Sequence, residues 1–364
     1  METNNYIPSH PVHPFEILKD ELAAQGIRQK DFAKSIGMRD SNFSRMLREM
    51  PDLTPELALS LEKELGIPFS DWMHYQERYM KDKVRIAERD AIESELAATE
   101  QTLSERLNLK ELYKRAGLTH KSVKERVETV MRYSTEIFSP DKTREPALYK
   151  KSGKRMTDSK NLLTWTVLAL MECDNGPKPD EYTNGKAIEA AREISAYAHN
   201  GKVSKATVME ILNRHNIGFH HVEKLEKTPV DAYSTRRDNR MFVVVTYRIN
   251  DLDKFVFDVL HELGHIALHI ESGIADSFIN VDGEAGIRKL EDEADAFARD
   301  CLIPIAHWKK IISSSASSLN PYAVSQKIGD RAKELGYSPS IAVARYKHES
   351  QRYNLKIYQS PKLL

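Results

Sequence analysis

His261-Glu262-Leu263-Gly264-His265 is an H-E-x-x-H pattern, preceded by the apolar-periodic stretch Phe255-Val-Phe-Asp-Val-Leu260. On a helix, residues four apart lie one turn above each other. Two imidazoles so placed can grip one Zn²⁺ with bonds of about 2.0–2.1 Å. Glu262 sits between them, where a carboxylate can polarise a water held by the ion. The chemistry this arrangement allows is amide hydrolysis. Glu262 would remove a proton from the water and later deliver it to the leaving amine.

A catalytic zinc takes three protein ligands and keeps one position open. Two residues are candidates for the third. His269 lies one turn beyond His265, and Glu291 lies in Leu290-Glu-Asp-Glu-Ala-Asp-Ala-Phe-Ala298. Three histidines in line on one straight helix splay too far to hold one ion tetrahedrally, so Glu291, from a second helix, is preferred. Asp295 then follows one turn later, able to hydrogen-bond the outer nitrogen of a ligand histidine. His269 is expected to be structural or an outer partner of the ligands, and Glu293 to point away into solvent. Cys301 occupies an apolar position and reads as a core residue. Arg345, His348, His220, His221, Tyr247 and His307 are open candidates for stabilising an oxyanion.

These residues need positioning elements. Met241–Tyr247 (MFVVVTY) is β-branched and aromatic and is expected to be a strand. If it is an edge strand, an extended substrate can align along it. Phe255–Ile270 and Leu290–Leu302 have helical periodicity, as do Arg85–Leu107 and Lys121–Phe138. Ser139–Asp158 reads as an exposed connection and Asp174–Asn184 as a loop.

Near the N-terminus, Phe15–Gln25, Gln29–Ile36 and Ser41–Glu49 read as three short helices. Gly37 suits the end of the second, and Ser41 or Asp40 can cap the third. Phe32, Ala33, Ile36, Phe43, Met46 and Leu47 can share one small core, as a helix-turn-helix requires. Six basic residues against two acidic ones lie between Arg28 and Arg48, whereas residues 1–83 carry 11 basic and 14 acidic. Positive charge is therefore concentrated where DNA phosphates would sit. Arg28, Gln29, Arg39, Ser41, Asn42, Ser44 and Arg45 are the candidate DNA contacts.

Two family resemblances follow from these motifs. Asp253–His269, Glu291–Pro304 and Lys333–Arg345 resemble, in order, the ImmA/IrrE metallopeptidases over roughly residues 205 to 350. That resemblance implies a gluzincin-like zinc fold, with His261, His265 and Glu291 as ligands and Glu262 as base. In some members it implies cleavage of a repressor protein. Ile7–Lys19, Leu53–Gly66 and Phe69–Trp72 resemble the HigA-type antitoxins of the Xre/Cro repressor superfamily. This implies a homodimer that binds operator DNA, represses its own operon and can bind a cognate toxin. The sequence departs at Arg48-Glu-Met-Pro-Asp52, where that family commonly has an Asn-Gly-Lys-Arg-like turn.

The 364 residues hold 54 Lys+Arg against 54 Asp+Glu, which excludes a generally basic nucleic-acid coat. The longest apolar run, Leu162–Met171, is far short of the ~20 residues a bilayer needs, and no signal peptide is expected. Two cysteines, Cys173 and Cys301, fit a reducing cytoplasm. The expected fold is mainly α with a small antiparallel sheet (α+β). It divides into a helix-turn-helix domain at 1–83, a helical middle region at 84–200 and a zinc peptidase domain at 201–364. Function is expected to be DNA-binding regulation coupled to zinc-dependent cleavage of a partner protein. The alternative is a non-proteolytic antitoxin or autorepressor whose metal domain senses or binds a partner.

Overall fold

The computed structural model describes residues 7–137, 158–273, 283–313, 320–353, 355, 358 and 360–363, with 134–137 and 283–287 described by backbone alone. These fall into two compact units, Met1–Thr99 and Glu100–Leu364. The expected connection at Ser139–Asp158 lies, apart from Asp158, outside the described residues.

The first unit opens with α1 (Pro14–Ala24), α2 (Gln29–Ser35), α3 (Asp40–Glu49) and α4 (Pro55–Leu65). Two of these starts have a clear local cause. Pro14 and Pro55 occupy the first helical turn, where a missing N–H costs nothing. His13 accepts from the Phe15 N–H at 3.1 Å, and Thr54 accepts from the Leu57 N–H at 3.3 Å. Gly37 and Gly66 have φ near +71°, the left-handed conformation that a Cβ disfavours. The third helix departs from expectation: its cap position is Arg39, no side chain caps it, and Asp40 is its first residue. It ends at Met50 with φ +49°, a left-handed conformation uncommon for a bulky residue. Phe15, Leu18, Phe32, Phe43, Leu61 and Trp72 close the core of this unit.

A boundary at residue 83 would fall inside α5, one continuous helix over Phe69–Arg106. The described residues between 100 and 200 share a compact unit with the C-terminal region. That unit holds α6 (Leu109–Arg115), α7 (Val123–Ile137), α8 (Ser159–Asn175), α9 (Lys186–His199) and α10 (Lys205–Arg214). The expected membrane-length deficit of Leu162–Met171 holds among the described residues, where no helix is long and apolar enough to cross a bilayer. Instead α8 is buried on nearly all sides, and its Thr164 and Thr166 hydroxyls donate back to the carbonyls of Lys160 and Leu162 at 2.7 and 3.0 Å.

The sheet contains β1 (Ile217–His221), β2 (Ala232–Arg237) and β3 (Arg240–Val245) in the order β1-β3-β2. It is mixed rather than antiparallel: β1 runs parallel to β3, and β2 antiparallel to it. The strand expected at Met241–Tyr247 is therefore central and not an edge. A parallel partner was not legible because β1, Ile217-Gly-Phe-His-His221, lacks clear alternation. Asp238 and Asn239 join β2 to β3 with φ of +45° and +59°. Both central residues left-handed is the two-residue hairpin whose twist suits flanking strands.

Beyond the sheet come α11 (Leu252–His265), a π-helical segment (Ile266–Ile270), α12 (Gly283–Leu302), α13 (Ile305–Ile312), α14 (Pro321–Glu334) and α15 (Pro339–Ser350). Val256, Val259, Leu260 and Leu263 of α11 join Val243 and Val245 of β3 and Ala298 of α12 in one core.

Candidate metal centre

The local sequence sets α11 rigidly before it reaches its histidines. Asp251 caps the helix by accepting from the Lys254 N–H at 2.8 Å. Lys254 lies between Asp231 at 2.8 Å and Asp258 at 2.5 Å, and Arg248 pairs with the other oxygen of Asp231 at 2.6 Å. Burial pulls the Lys254 ammonium down, but the two carboxylates more than offset it and raise its pKa. Two positive and two negative groups thus balance one another just N-terminal to the motif.

Gly264 sets the distance to α12. A Cβ there would meet Phe297 Cδ1 at 3.0 Å and Ala294 Cα at 3.3 Å. With hydrogen at Gly264 and the small Ala294 and Ala298 opposite, the two helices approach closely enough for Glu291 and Asp295 to reach the histidines. That close approach was not legible in the sequence, because it depends on the pairing of two helices.

The expected ligand atoms converge. Nε2 of His261 and Nε2 of His265 lie 3.0 Å apart. Glu291 Oε2 is 3.4 Å from the first, and Glu291 Oε1 is 3.4 Å from the second. Among the described residues these three form a group able to hold a metal ion. A tetrahedral ion with bonds of about 2.0–2.2 Å needs its ligand atoms about 3.3–3.5 Å apart. The spacing here is close to that, and two imidazoles with one carboxylate are a zinc-type donor set. Burial opposes ionisation of Glu291, but hydrogen bonds with His261 and His265 prevail and hold its carboxyl down to about 2.

Glu262 is wholly buried at 0% exposure, and neither carboxylate oxygen has a hydrogen bond of ordinary geometry. Burial pushes its carboxyl up to about 7, with His261 and the neighbouring Ser234 hydroxyl opposing. Ser234, on β2, is itself buried and lacks a well-formed hydrogen bond. An unpaired carboxylate in such a place is expensive, and it is the group with which a proton-transfer step would be done. Ser234 escaped sequence reading because only the β2 register brings it to α11.

The outer nitrogens of the histidines are engaged as well. His261 Nδ1 lies 2.8 Å from Asp295 Oδ1. His265 Nδ1 lies 3.0 Å from His269 Nδ1. His269 is therefore turned to the back of His265 and not towards the converging ligand atoms. Glu293 corrects the expectation of a fully solvated side chain: its Oε2 is 3.1 Å from His269 Nε2, although the side chain stays 42% exposed.

Most of the open oxyanion candidates have other partners. Arg345 donates to the carbonyls of Arg299 and Ile303 at 3.0 and 2.6 Å and lies over the Trp308 ring. His307 Nδ1 meets the Tyr337 hydroxyl at 2.5 Å. His220 is buried against Phe242, and His221 lies against Tyr247. His348 is exposed on α15. Cys301 is partly buried against the core, as its apolar position in the sequence suggested, and burial pushes its thiol up to about 11.

The sequence-derived DNA contacts Arg28, Gln29, Arg39, Ser41, Asn42, Ser44 and Arg45 are all exposed along α2 and α3. Arg28 is paired with Asp31 at 2.7 Å.

No curated protein matches the chain. Residues 217–347, which run from β1 into α15 and contain the whole cluster, match the family model described as Peptidase_M78, the IrrE N-terminal-like domain, so this part of the chain is similar to a metallopeptidase domain for which a metal, generally zinc, is implied.

Proposed function

We propose that the C-terminal unit is a zinc-dependent endopeptidase and that the N-terminal unit binds operator DNA, so that cleavage of a partner protein is coupled to gene regulation. The observation that carries the enzymatic half is the meeting of His261, His265 and Glu291 around one point, with the unpaired Glu262 buried beside them. These three residues would hold the ion. A zinc ion held there supplies Lewis acidity to the scissile carbonyl and acidifies a water. Glu262 takes the proton of the attacking water, and later passes it to the leaving amine. Asp295 keeps the His261 ring turned so that Nε2 faces inwards.

The edge strand beside α11 is β2, not β3. An extended substrate pairing with the outer edge of β2 would pass Ser234 and Glu262, and its backbone amides would provide affinity while side-chain pockets provide selection. The substrate is a protein segment able to adopt an extended form, a repressor or a cognate toxin among them.

The DNA-binding half is supported by the exposed basic residues of α2 and α3, with operator phosphates as partners and a homodimer matching a two-fold operator. The alternative, a metal domain that senses or binds a partner without cleaving it, separates from this reading by one substitution. Glu262→Gln should keep zinc at one equivalent by elemental analysis and lower cleavage of a peptide library by at least about a hundredfold. Cleavage by the purified protein that is absent in both forms favours the sensor. Arg45→Ala should weaken DNA binding and reduce the salt dependence by about one phosphate contact. An unchanged salt slope removes the DNA assignment.

A further inference from the structure

The two histidines of the cluster are anchored differently. His261 has a carboxylate directly on its outer nitrogen, Asp295 at 2.8 Å. His265 has another histidine, His269 at 3.0 Å, and that histidine is followed by Glu293 at 3.1 Å. His265 and His269 are both at 0% exposure, so water does not offer either ring a substitute partner. The backbone reinforces this arrangement. After His265 the helix widens into the π-helical segment Ile266–Ile270, closed by the Glu271 N–H on the Ile266 carbonyl at 2.9 Å. A π turn does not carry residue i+4 straight above residue i, and His269 lies against Nδ1 of His265. Glu271 then fixes the end of the segment by accepting from the Tyr182 hydroxyl at 2.6 Å and the Gly185 N–H at 3.0 Å.

We propose that Glu293 and His269 form a two-step positioning relay, which holds His265 in the tautomer and orientation that a metal ligand needs. The inference rests on the metal-binding reading above. If Nε2 of His265 is the ligand atom, its proton sits on Nδ1 and is donated to Nδ1 of His269. His269 must then carry its own proton on Nε2, and that proton is donated to Glu293. One carboxylate on the surface therefore sets two tautomers in series. The cluster has two parallel supports, a short one through Asp295 and a long one through His269 to Glu293.

The test is zinc affinity, measured on the full chain by competition with a chromophoric chelator, alongside thermal melting of the metal-free protein. His269→Phe keeps an aromatic ring and removes the acceptor; it should weaken zinc binding about tenfold to a hundredfold. Glu293→Ala alters a part-exposed residue, leaves the fold intact and should weaken zinc in the same direction. Glu293→Gln keeps an oxygen for His269 Nε2 and should restore most of the affinity, a rescue that a purely packing role does not give. Because the steps act in series, adding Glu293→Ala to His269→Phe should cost little more. Adding Asp295→Ala to His269→Phe should multiply the losses. Equal affinity of Glu293→Ala and the wild type overturns the relay, as do full losses from both steps when combined. Should His269→Phe fail to fold, the Glu293 pair alone decides. Wild-type protein that binds no zinc overturns the metal reading itself, and the relay with it.

Discussion

The two units place their polar residues in opposite ways. In Met1–Thr99 the interior is Phe15, Leu18, Phe43, Leu61 and Trp72, and every residue proposed to touch DNA is on the surface. Among the described residues the buried polar groups there, His13 and Gln76, have local structural work: His13 caps α1, and Gln76 accepts from the Leu53 N–H at 3.0 Å. In Glu100–Leu364 the residues proposed for chemistry lie inside, with His261, Glu262, His265 and His269 all at 0% exposure. Burying ionisable groups costs stability unless each is matched, and Glu262 is not matched. On the proposed reading, the first unit keeps an apolar interior and carries its contacts on the surface, while the second gives up stability to hold the groups proposed for chemistry.

Three outcomes would sharpen or break this contrast. Phe43 is wholly buried, so Phe43→Ala should cost the first unit about 3–5 kcal/mol. Calorimetry should show its transition lost or lowered while zinc uptake by the second unit is unchanged; zinc uptake that falls with it would mean the units are not separable. Stripping zinc with a chelator acts on the other unit. At a hundred times the dissociation constant, bound metal contributes about 2.7 kcal/mol. Its removal should lower only the transition of the second unit, and a shift of both would break the contrast. The smallest effect concerns Gly264. Alanine is a better helix former than glycine by about 1 kcal/mol, yet its Cβ would press on Phe297 and the Ala294 backbone. Overpacking costs about 1–3 kcal/mol, so Gly264→Ala should be destabilising on balance and should weaken zinc binding. A more stable variant with intact affinity would show that the close helix crossing is not needed.

Much of this was legible along the chain because it is local. The short helices expected at Phe15–Gln25, Gln29–Ile36 and Ser41–Glu49 follow from neighbouring residues, and the H-E-x-x-H spacing by itself puts two imidazoles on one face. Glu291 and Asp295 could be nominated because a second helix was needed and they lie one turn apart. What was not legible depends on partners distant in sequence. The mixed sheet arises from β1 joining β3 in parallel, a choice made across an intervening strand. Ser234 reaches Glu262 only through strand register. Glu293 was expected to face solvent because it leaves α12 roughly opposite Glu291 and Asp295; the π turn, which has no sequence signature here, brings His269 within its reach. The uncapped start of α3 at Arg39 shows the reverse case, where a good local signal, Asp40 or Ser41, went unused.

The Asp238-Asn239 hairpin works as a ruler. Pairing of Arg237 with Arg240 across it fixes every later partner, down to Ser234 with Val243. Strand side chains alternate between faces, so one residue inserted upstream of the turn would exchange the hydroxyl beside Glu262 for a neighbouring side chain, without touching the helix that carries the histidines. Length variation at that tip is therefore a way to retune, or silence, the proposed base while leaving the proposed ion-holding groups as they are.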